Sequence, residues 1–156
     1  MSDKNEFDEL INIYYESWFK INSIYHVWAR KHGIQDTTLL TLYVIKETSP
    51  FCTQNELCER LLFPKQTVSL ILSELEKKGY VLRELNPRDR RNKIVRFTSQ
   101  GAQYANSILE ELKSVEIEAF NNIPQEKRRS IIESFSLLSN LLEKSFSKQC
   151  NNSIPF

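Results

Sequence analysis

At 156 residues the chain can bury one good core and is short for two ordinary domains. Hydrophobic residues make up 40% and charged residues 26%, with three glycines and five prolines, a balance that excludes a disordered or collagen-like chain and favours long regular elements. The net charge of +1 hides an uneven division: residues 1–59 hold five basic and nine acidic side chains, residues 60–100 hold ten and four, and residues 101–156 hold six and seven. A basic middle between acidic flanks suits a module that offers one surface to a polyanion.

The segment Met1 to Glu9 lacks the basic start and apolar core of a signal peptide, and no window approaches a membrane span of roughly 18–20 apolar residues. A cytoplasmic protein without membrane contact is expected. Phe7, Ile11, Tyr14, Trp18, Ile21, Tyr25 and Trp28 recur in alternating steps of four and three, which predicts a helix, and Leu10, Ile13, Ile24 and Val27 widen its apolar face. Gly33 is expected to end it in a left-handed conformation. Asp36 is expected to cap a second helix, whose apolar positions Leu39, Leu40, Leu42, Tyr43 and Ile45 run to about Glu47.

Ser49-Pro50 breaks the chain, and Thr53-Gln54-Asn55-Glu56 reads as a capping box opening a short helix to about Leu61. Pro64 fits the first turn of another helix, with Val68, Ile71, Leu72 and Leu75 on its apolar face and Gly79 as its stop. Two short helices joined by a tight turn form a helix-turn-helix. Tyr80 to Leu85 and Lys93 to Phe97 are β-prone and flank the basic turn Asn86-Pro87-Arg88-Asp89-Arg90-Arg91-Asn92, a hairpin with a charged tip. Thr98 is placed to cap a long helix bearing Ala105, Ile108, Leu109 and Leu112, and Pro124 opens a last helix bearing Ile131, Ile132, Phe135, Leu138 and Leu142. The fold class is therefore mainly α with a small β-hairpin wing. Residues 36–98 are expected to form a winged helix-turn-helix lobe, residues 1–32 and 101–148 to supply helices that pack together and pair two copies, the alternative being an ordinary bundle within one chain, and residues 150–156 to form a flexible tail.

A helix that reads bases in the major groove exposes short polar and basic side chains at its N-terminal end. Pro64, Lys65, Gln66, Thr67 and Ser69 fall there: glutamine can pair bidentately with adenine, lysine can reach guanine, and the hydroxyls can take bases or phosphates. Thr53 and Gln54 are placed to donate to a phosphate. At the hairpin tip Arg88, Arg90 and Arg91 suit the negative potential of a narrow minor groove, and Asp89 is expected to pair with Arg91 and stiffen the tip. The alternative is a winged helix that contacts another protein without reading DNA.

Cys52, Cys58 and Cys150 form no C-x-x-C pair, and His26 and His32 are the only histidines, so neither a disulfide framework, a metal nor any other cofactor is expected. Neither Cys52 nor Cys58 lies in a recognisable nucleophile setting, and no enzymatic activity is expected.

In order, Gly33-Ile34, Thr53-Gln54-x-Glu56-Leu57, Gln66-Thr67-Val68-Ser69, Leu75-Glu76-x-x-Gly79-Tyr80-Val81-x-Arg83, Pro87-x-Asp89-Arg90-Arg91 and Val95-x-Phe97-Thr98-x-x-Gly101 resemble the MarR family of bacterial transcription regulators. The resemblance implies a homodimer with interlocked terminal helices that acts on double-stranded DNA, usually as a repressor. Its recognition helices would enter successive major grooves of a pseudo-palindromic operator, its wing arginines would reach the flanking minor grooves, and Asp89 with an adjacent arginine would be the wing-tip pair. It also implies a small aromatic or amphipathic effector, for which Tyr14, Tyr15, Trp18, Tyr25 and His26 are the candidate lining, unless these aromatics pack the dimer core. Cys58 stands where the family usually has alanine and is expected to be a small buried thiol, and Leu70 stands where many members carry a basic residue. With no cysteine before Cys52, the oxidant sensing that some members perform near the N-terminus is not expected.

Overall fold

The computed structural model describes residues 2–89 and 91–150. In chain order these form α1 (Ser2–Lys31), α2 (Asp36–Thr48), α3 (Gln54–Leu61), α4 (Lys65–Lys77), β1 (Val81–Glu84), β2 (Ile94–Phe97), α5 (Ser99–Asn121) and α6 (Gln125–Cys150). The chain divides into two compact units, Met1–Leu109 and Glu110–Phe156, with α5 contributing its first half to one and its second half to the other.

In the first unit both glycine stops act as expected. Gly33 and Gly79 have φ of 71° and 73°. At each, the residue after the glycine bonds five residues back, Ile34 N to Ala29 O at 3.1 Å and Tyr80 N to Leu75 O at 2.9 Å, satisfying helix-end carbonyls that would otherwise lack a partner. Asp36 does not cap α2. Gln35 holds the cap position without a side-chain bond, and Asp36 lies in the first turn, where its carboxylate stands 3.5 Å from Nδ1 of His26 on α1. Negative charge in a first turn is favoured by the helix dipole whether or not it caps. Thr53 does cap α3, its hydroxyl accepting from the Glu56 amide at 3.2 Å. Pro64 occupies the cap position of α4, one residue before the first turn.

The core of this unit joins Leu39, Leu42 and Ile45 of α2, Leu57 of α3, Val68 and Leu72 of α4, Val81 of β1, Val95 of β2 and Ala105 of α5, all buried. Leu40 and Tyr43, expected on the apolar face of α2, are exposed, and Val44 is buried instead. The strands pair antiparallel with Val81 opposite Phe97 and Glu84 opposite Ile94. A third segment completes the ladder, since Val95 N donates to Cys52 O at 2.8 Å and Gln54 N to Lys93 O at 3.4 Å. That pairing buries Cys52 completely.

In the second unit the end of α5 turns into α6 through Asn121–Pro124, and Arg128 donates Nε to Ile123 O at 3.0 Å and Nη2 to Asn121 O at 3.2 Å. A guanidinium on the last carbonyls of α5 satisfies acceptors at the negative end of its dipole. α6 follows its expected apolar spacing and runs through Cys150, one residue into the segment read as a tail; residues 151–156 lie outside the described residues.

Candidate nucleic-acid interface

α3 and α4 are joined by Leu62-Phe63-Pro64, with Leu62 in the left-handed region at φ 54°. The buried side of α4 is Val68, Ile71, Leu72 and Leu75. Its other side therefore presents Lys65, Gln66 and Leu70 exposed, with Thr67 and Ser69 half-buried beside them. No acidic residue lies in its first turn and no side chain caps it, which leaves its N-terminal amides and dipole available to an anion. Thr53 and Gln54 are half-buried at the start of α3, and Pro64 is exposed at the cap of α4.

The wing is tied to α4 by charge. The Arg83 guanidinium on β1 donates from Nη2 to Oε2 of Glu76 and, at 3.2 Å, to Oγ of Ser73. The hydrogen bond from Arg83 holds the Glu76 carboxyl below the usual carboxylate range, and the same bond raises Arg83 further. Ser73 donates in turn to Ser69 O at 2.8 Å, so the contact reaches one turn up the recognition helix. On the outer strand face Arg96 Nε meets Glu84 Oε2 at 3.2 Å.

At the hairpin tip two side chains bond back to the chain. Asn86 Oδ1 accepts from the Arg88 amide at 3.0 Å and Asp89 Oδ1 from the Arg91 amide at 3.1 Å. Asp89 thus holds the main-chain amide of Arg91 rather than forming the side-chain pair expected of it, because an Asx turn needs only a two-residue reach. Arg88, Asp89 and Arg91 are exposed, and Arg90 lies outside the described residues. The wing's base is fixed by Thr98, whose hydroxyl donates to Gly79 O at 2.6 Å and accepts from the Gly101 amide at 2.9 Å. Sequence spacing located the polar start of α4 and the basic tip; it missed the Glu76–Arg83 tie and the Cys52 segment, whose partners lie on other elements. The motif positions Glu76 and Arg83 were the available signal.

The five aromatic-pocket candidates divide. Tyr14, Tyr15 and Trp18 make edge contacts along α1, with Tyr14–Tyr15 and Tyr15–Trp18 centroids 5.3 Å and 6.4 Å apart. His26 faces Asp36, and Tyr25 is half-buried. A cleft of about 190 Å³ in the first unit is lined instead by Gly33, Gln35, Thr38, Ile71, Glu74 and Tyr104, among others. Cys58 is half-buried rather than enclosed, and Cys52, also a free thiol, is pushed up in pKa by burial. Among the described residues no cluster of metal-ligating side chains occurs and no helix is long and apolar enough to cross a membrane.

The MarR family model matches residues 32–92, which span α2 to the wing tip. The HTH-type transcriptional regulator SarZ of Staphylococcus epidermidis is 29% identical over 142 residues, covering 90% of this chain and 90% of SarZ. A MarR protein from Peptoclostridium difficile shares the fold with TM-score 0.70 at 22% identity, covering 89% of this chain and 90% of that one. Staphylococcus aureus MepR, solved as a complex with DNA, does so with TM-score 0.71 at 19% identity, covering 81% and 96%. With the family's model on the lobe that holds the helix-turn-helix, and a regulator's sequence aligned over nine-tenths of its length, the chain is similar to the MarR family of winged helix-turn-helix transcriptional regulators.

Proposed function

We propose that the protein is a homodimeric repressor that binds a pseudo-palindromic operator in double-stranded DNA and is released from it by a small aromatic or amphipathic effector. The observation that carries the DNA reading is the outward face of α4: Lys65 and Gln66 stand exposed on an uncapped, acid-free helix start. Thr67 and Ser69 flank them, Pro64 sets the helix start, and Thr53 and Gln54 offer contacts to the phosphate backbone. Arg88, Arg90 and Arg91 serve the minor groove, with Asp89 shaping the turn that carries them. MepR, the structural neighbour solved on DNA, supports this use of the fold.

Support for pairing comes from apolar surface left open within each unit. α1 exposes Phe7, Ile11, Trp18, Phe19 and Ile24, and α6 exposes Ile132, Phe135, Leu138, Leu141 and Phe146. Apolar surface left in water costs about 25 cal/mol per Å², and a second copy across a two-fold axis is the economical cover for each set. The aromatics Tyr14, Tyr15, Trp18, Tyr25 and His26 belong to that frame and offer an effector stacking surfaces, so ligand binding there would change the spacing of two recognition helices. Its similarity to a transcriptional regulator fits action in the cytoplasm.

The test is selection of duplexes from a random-sequence pool by the full-length protein, followed by titration at several salt concentrations and sedimentation of the complex. The expected result is an inverted-repeat site bound by two chains, with affinity falling steeply as salt rises. Recovery of no enriched duplex, or binding indifferent to salt, would sink the proposal.

A further inference from the structure

Leu70 is 63% exposed in the middle of the recognition helix, on the side opposite buried Val68 and Leu72. It stands one turn beyond Gln66, which is also exposed, so both side chains point from the same face about 6 Å apart along the axis. That spacing addresses base pairs one or two steps apart, since successive pairs rise about 3.4 Å. The next polar residue on the face, Ser73, has its hydroxyl engaged by Ser69 O and Arg83. Leu70 can neither donate to nor accept from a phosphate or a base edge. The one apolar group that the major groove presents is the 5-methyl of thymine.

We propose that Leu70 is a specificity-determining residue that packs on the 5-methyl group of a thymine, so that each operator half-site holds an A·T pair one or two steps from the pair read by Gln66. The inference rests on the DNA-binding reading above. Discrimination has two sources. Against thymine the leucine covers a methyl group that water otherwise surrounds. Against a G·C pair it would strip water from guanine N7 and O6, or from the cytosine amino group, and offer no partner. Glu74, exposed one further turn along, offers neither an apolar group nor a donor to a base edge.

The test uses the full-length protein and the duplex that it selects from a random-sequence pool. Each thymine of that duplex is replaced singly by deoxyuridine, which removes only the methyl group, and binding is measured for the unaltered protein, Leu70→Ala and Leu70→Met. One thymine per half-site should cost the unaltered protein about four-fold in affinity, the worth of one buried methyl. Leu70→Met should keep that loss and Leu70→Ala should abolish it, while thermal melts of all three coincide. If no deoxyuridine changes binding, or if Leu70→Ala shows the same losses as the unaltered protein, the assignment is overturned while DNA binding stands. If no duplex is enriched, both readings fall together.

Discussion

Gly101 lies against the backbone of Tyr80 so closely that a β-carbon built on it would stand 1.7 Å from the Tyr80 carbonyl oxygen. The obstacle is main chain on both sides, and neither can step aside: the Gly101 amide is held by Thr98, and Tyr80 N by Leu75 O at 2.9 Å. Gly101→Ala must therefore open the junction between wing and α5. Its cost should sit at or above the top of the overpacking range, about 3 kcal/mol. Urea unfolding at fixed protein concentration checks it, and an unchanged midpoint would show that the junction yields more easily than this contact implies.

The Glu76–Arg83 pair gives a pH signature. Because Arg83 holds the folded-state carboxyl of Glu76 below its unfolded value of about 4.3, the pair stabilises the lobe above that value, and the contribution disappears as pH falls through the lower folded value. Both side chains are partly exposed, at 31% for Glu76 and 18% for Arg83, so the contribution should be modest, about 1 kcal/mol. Glu76→Gln should be less stable than the unaltered protein by that amount at neutral pH, with the gap closing below about pH 4. A gap that stays constant down to acid unfolding would assign the loss to packing.

Local chemistry was legible in the sequence, and contacts between elements were not. Thr53, Gly33 and Gly79 act on groups within a few residues, and their roles follow from residue type and position alone. The polar start of α4 was readable for the same reason. Cys52 offered no such signal, because its strand exists only through β2, some forty residues on. Leu40 and Tyr43 looked like core because α2 is apolar nearly all round, and which side is buried depends on where α3 and α4 pack.

Leu62 carries a left-handed φ of 54° while its side chain is 87% exposed. A non-glycine residue in that conformation costs about 1–2 kcal/mol, and here no burial offsets it. Leu62→Asn, which tolerates the conformation, should raise stability by about 0.5–1 kcal/mol. An unchanged or lower melting temperature would mean that Leu62 is packed in the assembled protein.

The two described thiols should separate by reactivity. Cys52 is fully enclosed and its pKa is raised by that burial, so at neutral pH its sulfur is both protonated and unreachable. Cys58 is half-buried on α3. Mass-spectrometric labelling under native conditions should modify Cys58 first, and Cys52 only as fast as the lobe opens. Equal rates would contradict the enclosure.

Asp89 sets charge against geometry at the wing tip. Its carboxylate is a negative charge among arginines facing a polyanion, so removing it should strengthen DNA binding; its Oδ1 also holds the Arg91 amide at 3.1 Å, and removing that should loosen the tip. Asp89→Asn deletes the charge and keeps the acceptor, whereas Asp89→Ala deletes both. An exposed charge is screened within about 8 Å at physiological salt, while misplacing Arg88 and Arg91 would forfeit outright the minor-groove contacts proposed for them, so geometry should dominate. Asp89→Asn should bind the selected duplex as well as or better than the unaltered protein, and Asp89→Ala several-fold worse. Arg91→Ala, which removes a contact without touching the turn, should reduce the slope of log affinity against log salt by about 1. If Asp89→Ala and Asp89→Asn both bind more tightly, the charge outweighs the turn and the wing does not depend on a preformed tip.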